Sequence, residues 1–368
     1  MPTLADVVRS AGQAFPARFG DRVLPSHRRV LRAVADCRTP ALGGQLFTCD
    51  CGVTHAVYHS CRNRHCPRCQ GSDAERWLER QRGLLLPVAY GLATCTLPRE
   101  LRAVAYSHQR MVYGIILREA ARALLDVVAN PAYVGGLGAV IAVLHTWTRA
   151  LLFHPHVHML FPAGALAPDG ESWKKPRKRS FIAPDYALAK RFRERVEVAF
   201  KKAGLHHLVP AAVWRKRWVA NIRKVGSGEQ TLLYLSRDVF RVAISDDRIE
   251  RFDGTAVTYR WTDSATGATR RTTLPATDFL ARFLQHVLPR GFKKVRCFGL
   301  WAPTHRAELA AARAILDHHP AVGVTAERAR RDEPHDSTAG SRGTWVCRSC
   351  GCVSSNPPRE IPRSREPP

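Results

Sequence analysis

The sequence predicts an α+β fold: a small zinc-ribbon-like N-terminal domain, then a larger domain with a mainly antiparallel sheet and flanking helices. Three observations carry that expectation. Six of the eleven cysteines fall between Cys37 and Cys69. Alternating, strand-like stretches such as "YGLATCTLP" and "LLFHPHVHMLFP" recur along the middle of the chain. Long helical patterns, above all "ELRAVAYSHQRMVYGIILREAARALLDVVA", are interspersed among them. The chain divides into 1–90, a zinc-binding and DNA-binding domain, 91–308, the sheet-bearing domain, and 309–368, a poorly ordered tail with a cysteine cluster.

In the first domain "VTHAVYHS" alternates like a strand between a CxC and a CxxC. "SDAERWLERQRGLLLP" reads as a helix begun by Ser72 or Asp73 and stopped before Pro87. "YGLATCTLP" is a strand, and the long helix after it ends at Asn130-Pro131. "GAVIAVLHTWTRALLFHPHVHMLFPAG" gives two adjacent strands, and the basic stretch that follows gives helices broken by Pro184 and Pro210. "SGEQTLLYLSRDVF" is a short helix with a capping box from Ser227 to Gln230. "RVAIS", "TAVTYRWTD" and "ATRRTTLP" are strands, the last two joined by a hairpin turn. A helix, "TDFLARFLQHVLPRG", and a strand, "FKKVRCFGLW", complete the domain. Beyond His319 the chain is too polar and proline-rich to pack, although Cys347, Cys350 and Cys352 could share a zinc with a ligand from elsewhere.

The charge names a class of partner. The chain holds 57 Lys+Arg against 31 Asp+Glu, a net +26. Between Lys174 and Lys224 stand 16 basic residues and three acidic ones. That concentration suits a polyanion, because each neutralised phosphate releases condensed counterions. "WKKPRKRS" supplies Lys174, Lys175, Arg177, Lys178 and Arg179, and "WRKRW" supplies Arg215, Lys216 and Arg217, as candidate DNA contacts. Trp173, Trp214 and Trp218 beside them suit the stacking of single-stranded bases; turned into a core, they would leave only a solvated basic face. No signal peptide and no membrane span is evident, so a cytoplasmic, nucleoid-associated protein is expected.

In a reducing compartment clustered cysteines bind metal more often than they form disulfides. Cys66 and Cys69 form a CxxC, and Cys49 and Cys51 a tighter CxC followed by Gly52; together they offer four thiolates to one structural Zn²⁺. Cys61 and His65 in the same loop, with Cys37 upstream, supply ligands for a second zinc. In "LLFHPHVHMLFP" the residues His154, His156 and His158 share one face of a strand. Buried imidazoles need partners for both ring nitrogens, and pairs on one strand face commonly bind a divalent cation with positions left for substrate. The bland reading is a solvent-facing row with no ion.

"HPHVHMLFPAGAL", "SCRNRHCPRC", "LLPVAYGLATCTLP", "LLYLSRDVFRVAIS" and "FLQHVLPRGFKKVRCFGL" together resemble the rolling-circle transposases of insertion-sequence-ninety-one type. The similarity runs from about His27 to Arg306 in the family's order. It implies that 91–308 is an HUH (His-hydrophobic-His) nuclease domain, in which His156 and His158 hold a catalytic Mg²⁺ or Mn²⁺. It also implies that Tyr234 is the nucleophile that forms a 5′-phosphotyrosine with single-stranded DNA. His145 and Gln230 are the candidates for a third ligand. Many members carry a second tyrosine four residues on, where this chain has Asp238, and a CxxC where it has a CxC. With one tyrosine, strand transfer needs a second subunit or the freed 3′-hydroxyl.

The activity implied is that of an insertion-sequence transposase that nicks and rejoins DNA without a nucleotide cofactor; no GxxxxGK loop is present. Two other classes make different predictions. A hydrolytic metal-dependent nuclease would cleave without a protein–DNA adduct. A non-catalytic zinc-dependent DNA-binding protein would bind without cleaving.

Overall fold

The computed structural model describes residues 1–69, 71–177, 183–227, 229–230, 232–233, 242–263, 265–318 and 344–364. The first helices are α1 (Leu4–Ala11), α2 (Ala14–Phe19) and α3 (Pro25–Asp36), followed by strands β1 (Gly44–Thr48) and β2 (Thr54–Tyr58) and helix α4 (Gly71–Arg82). Thr3 and Asp6 start α1 with a reciprocal capping box, and Pro25 opens α3 with its φ already helical. Next come β3 (Ala89–Thr96), α5 (Arg102–Ser107), α6 (Gln109–Ala129), β4 (Ala139–Trp147), β5 (Phe153–Pro162), β6 (Ala165–Leu166) and β7 (Trp173–Lys174). The chain continues through α7 (Asp185–Lys202), α8 (Ala211–Arg215), β8 (Val219–Ser227), β9 (Ile249–Phe252), β10 (Ala256–Thr262) and β11 (Thr269–Pro275). Last are α9 (Ala276–Leu284), β12 (Val295–Gly299), α10 (Arg306–His318) and the short strands β13 (Trp345–Val346), β14 (Val353–Ser354) and β15 (Arg359–Ile361).

The fold is α+β, as expected. Its centre is an antiparallel sheet in the order β12-β4-β5-β3-β8. Strand β4 has a neighbour on each side and is covered on both faces, which is why "AVIAVLH" is almost continuously apolar. One face packs on α6 and α7: Val140, Ala142, Leu144, Val157, Met159 and Phe161 share a core with those helices. In α7 the buried Leu188, Phe192, Val196 and Phe200 recur every four residues, so the apolar stripe faces the sheet and the cations face out. The opposite face carries Tyr90, Ile141, Val143 and Leu160, covered by Trp77 of α4, by Leu232, and by Leu309 and Leu316 of α10.

Four expectations are revised. The single long helix is two, broken at His108 (φ −118°, ψ 43°), and the break lets α5 lie against β5. "RVAIS" is not a strand in its described part; the third strand of the small sheet is Ile249–Phe252. No packing boundary falls at residue 90, because α1 and α3 share a core with β10 and α9 through Leu4, Val8, Leu31, Tyr259, Phe279 and Phe283. The described parts of the tail do pack: α10 covers the sheet, and β15 adds to the free edge of β1. Among the described residues no helix is long and apolar enough to cross a membrane.

Candidate functional site

The face of the sheet away from α6 and α7 holds the histidines. Alternation along β5 puts His154, His156 and His158 on that side, while Val157 and Met159 enter the helix-packed core. His145 of β4 pairs directly with His156, and Thr94 of β3 with His158. One nitrogen each from His145, His156 and His158 lies within 4.8 Å of the others. His145, one of the two expected third ligands, thus stands beside the pair.

Two of the rings, those of His156 and His158, have a partner on Nδ1. His156 Nδ1 donates to the backbone carbonyl of His154 at 2.7 Å, which leaves Nε2 with its lone pair free. His158 Nδ1 lies 3.2 Å from Thr94 Oγ1. His154 stands apart: Arg102 of α5 donates to its Nδ1 at 2.6 Å, so that nitrogen is already occupied. Burial pushes His158 down to about 3, helped by the charges of His156 and Arg223. Burial likewise lowers His156, partly offset by its bond to the His154 carbonyl. The imidazoles are thus neutral at ordinary pH, the form that ligates metal.

The turn between β4 and β5 is held firmly. Leu151 is fully buried in the left-handed region (φ 60°), an uncommon conformation for a non-glycine residue. Tyr259 donates to the carbonyl of Ala150 at 3.0 Å, and His286 Nε2 lies 3.4 Å from that of Leu151. Tyr234 and Asp238 lie outside the described residues, as do Lys178 and Arg179. Leu232, two residues before Tyr234, is buried in the same cluster as Val143 and Leu160, the neighbours of the histidines along their strands.

The cysteines form two groups, and the structure divides the expected set. Cys66 and Cys69 meet Cys37 and Cys61, whereas Cys49 and Cys51 meet Cys347 and Cys350. In the first group Cys37 Sγ and Cys61 Sγ lie 3.5 Å and 3.6 Å from Cys69 Sγ. That is close to the edge of about 3.8 Å for a tetrahedron with Zn–S bonds of about 2.3 Å. Arg38 (φ 58°) and Arg62 (φ 51°) take the left-handed turn immediately after Cys37 and Cys61, folding the backbone beneath the thiols. Hydrogen bonding from Cys66 leads the shift of the Cys61 thiol down to about 5, while burial pushes the Cys37 thiol up to about 11 and hydrogen bonding to Cys61 pushes Cys66 up. His65 is no ligand. Its Nε2 accepts from the backbone N–H of Leu288 at 3.3 Å, which ties the loop to the chain after α9.

The basic region divides as well. Lys174, Lys175, Arg177, Arg215, Lys216 and Arg217 are exposed, although Lys216 pairs with Glu100 at 2.6 Å. Trp214 and Trp218 are buried, packed on each other and on Phe200 and Phe192, so they are not stacking platforms for bases. Sequence reading missed a cationic groove of about 830 Å³ between α6 and α7. Arg110, Arg118, Arg122, Arg195, Lys202 and Arg296 line it, on the side of the sheet away from the histidines. Part of its signal lay in the basic stretch from Lys174 to Lys224, which supplies Arg195 and Lys202 from α7; the rest was spread over α6 and β12.

A family model described as "Transposase zinc-binding domain" matches residues 7–97, and one described as "Putative transposase" matches residues 138–308. The chain is 36% identical over 373 residues to "Putative transposase y4qJ" of Sinorhizobium fredii, covering 95% of this chain and 93% of that protein. It is 27% identical over 288 residues to "Transposase for insertion sequence element IS801" of Pseudomonas savastanoi pv. phaseolicola, covering 72% of this chain and 68% of that protein. No solved structure matches.

Proposed function

The chain belongs to the transposases of insertion-sequence-ninety-one type, and we propose that it nicks and rejoins single-stranded DNA through a 5′-phosphotyrosine on Tyr234. The observation that carries this reading is the convergence of His145, His156 and His158 on one face. Leu232, two residues before Tyr234, is itself buried in the cluster on that face.

Three imidazoles, those of His156 and His158 neutral, fit a divalent ion. Nitrogen donors suit Mn²⁺ better than Mg²⁺, which prefers oxygen and would rely on water and phosphate oxygens for most of its shell. Such an ion supplies charge stabilisation to the phosphodiester oxygens. The chain's own residues do the rest. The His154 carbonyl and Thr94 hold the rings of His156 and His158 in position. The exposed Lys174, Lys175, Arg177, Arg215 and Arg217 hold the strand by its phosphates.

The phenol oxygen of Tyr234 bonds to phosphorus as the bond from phosphorus to the 3′-oxygen breaks, and the phenol's proton ends on that oxygen. The bond energy is kept in the phosphotyrosine, so rejoining needs no nucleotide. Rolling-circle transposition at the element's ends follows from this chemistry, carried out in the cytoplasm at the nucleoid. With Asp238 in place of a second tyrosine, strand transfer uses a second subunit or the freed 3′-hydroxyl.

The test is denaturing electrophoresis of purified protein with labelled single-stranded element ends and Mg²⁺ or Mn²⁺, followed by mass spectrometry of the adduct. A covalent band that maps to Tyr234 and vanishes in Tyr234→Phe supports the reading. DNA on another tyrosine, such as the exposed Tyr186, overturns the assignment. Cleavage without adduct means a hydrolytic nuclease, and binding without cleavage a non-catalytic DNA-binding protein.

A further inference from the structure

We propose that Cys49, Cys51, Cys347 and Cys350 form a second zinc site, separate from the first, that clasps the C-terminal segment onto the β1–β2 ribbon. Two of its ligands lie after residue 308, outside both regions that match the transposase families. Distance is the first argument. Cys49 Sγ lies 3.7 Å from Cys350 Sγ, and Cys51 Sγ lies 3.9 Å from Cys347 Sγ. Both separations match the tetrahedral edge of about 3.8 Å, and both far exceed the disulfide length of about 2.05 Å. Four thiolates select zinc among the common divalent ions, with iron the main competitor for such a set.

The second argument is the backbone. The ribbon and the tail present their thiols on two tight turns, each closed by a glycine with positive φ. Gly52 (φ 82°) follows Cys51 and donates its N–H to the Cys49 carbonyl; Gly351 (φ 74°) follows Cys350 and donates to the Cys347 carbonyl. Each turn aims two sulfurs at the other turn. The CxC that the sequence joined to Cys66 and Cys69 is thus one complete half of another site. Cys352 stays outside the group and is exposed.

The third argument is what surrounds the sulfurs. His55 Nε2 lies 3.2 Å from Cys347 Sγ, in place to donate to a thiolate, a common way to fix a metal ligand. The Trp345 ring meets Phe47 edge-on with centroids 5.3 Å apart. Asn356 Nδ2 donates to Asp50 Oδ1 at 2.6 Å and to the Thr48 carbonyl at 3.2 Å. Beyond it, β15 pairs antiparallel with β1, Gly44 opposite Ile361. In sequence, 25 residues separate this segment from the last described residue of α10, so its hold on the ribbon depends on these few contacts and the ion. The ion makes the attachment strong.

Two measurements test the clasp. Metal analysis of the full chain, dialysed free of loose ions, should give two zinc per protein. Cys347→Ser with Cys350→Ser should reduce that to one, and Cys66→Ser with Cys69→Ser should also leave one if it folds. A site-specific protease sequence is then inserted between Ala326 and Glu327 of the full chain, and the nicked protein is run on a sizing column. In zinc-containing buffer the C-terminal fragment should co-elute with the rest. In the Cys347→Ser, Cys350→Ser background, with the first site untouched, it should elute alone. Two zinc ions retained by that variant, one zinc or a predominance of iron in the wild-type chain, or a fragment held equally well in both backgrounds would overturn the proposal.

Discussion

His145 and His156 sit directly opposite each other on antiparallel neighbours β4 and β5, with their rings edge to face at a centroid distance of 5.4 Å. Side chains of a directly opposed pair are the closest across a sheet, so two imidazoles arrive together without help from a loop. His158, two residues along the same face, completes the triangle. A site built on three central strands is rigid.

His156→Ala with His158→Ala should therefore abolish cleavage of single-stranded element ends and leave binding within about twofold, since affinity comes from backbone cations elsewhere. Cleavage assays and filter binding on the same preparation check this. Cleavage at the wild-type rate would remove the metal role.

Thr94→Val keeps the shape of the β3 side chain and deletes the oxygen beside His158 Nδ1. Loss of an outer partner of a metal-bound histidine typically costs about 10–100-fold in affinity or activity. The Mn²⁺ concentration for half-maximal cleavage should rise by about that factor, with melting temperature nearly unchanged. An unchanged metal requirement would mean that Thr94 does not orient the ring.

Replacing Lys174, Lys175, Arg215 and Arg217 with Ala should flatten the salt dependence of single-strand binding. Each lost phosphate contact lowers the magnitude of the log–log slope by about 0.7, so about 3 in all. Titrations from low to high salt decide it. An unchanged slope would move the contacts to another surface, the groove between α6 and α7 being the next to test.

His27 of α3 is buried, its Nε2 has no partner, and burial pushes its pKa down to about 4. The unfolded chain takes up the proton near 6.5, so between pH 6.5 and 4 the unfolded state binds more protons. Stability is full above about 6.5 and falls with pH by up to about 1.4 kcal/mol per unit, levelling off below about 4. His27→Leu should remove that increment when urea midpoints are compared with wild type across the range. Zinc released in acid affects both chains and cancels in the difference. Parallel curves would show that His27 is solvated.

What the sequence made legible follows from the range over which each signal acts. The alternation of His154, His156 and His158 is local, and it placed them correctly on one strand face. His145 was one of two guesses, because register between strands is not written in either strand. The two cysteine groups were blurred for the same reason. Cys66 and Cys69 find Cys37 and Cys61 nearby in sequence, but the partners of Cys49 and Cys51 come from the far end of the chain. Trp214 and Trp218 looked like base-stacking residues because they stand among cations. Which side of a short segment faces the core depends on α7, and a five-residue helix is too brief for its pattern to tell.

Synthesis gives the two cysteine groups different fates. Cys37 and Cys69 are 32 residues apart, whereas Cys51 and Cys347 are 296 apart. At about 5–20 residues per second, the first set is complete within about 2–6 s of its first thiol, and the second only after about 15–60 s. Throughout that interval the nascent chain carries an open pair of thiols on its ribbon and an unpaired edge on β1. A product cut short anywhere before Cys347 keeps both exposures permanently. The segment from Cys347 to Ile361 closes both exposures at once, the thiols of the ribbon and the edge of its first strand.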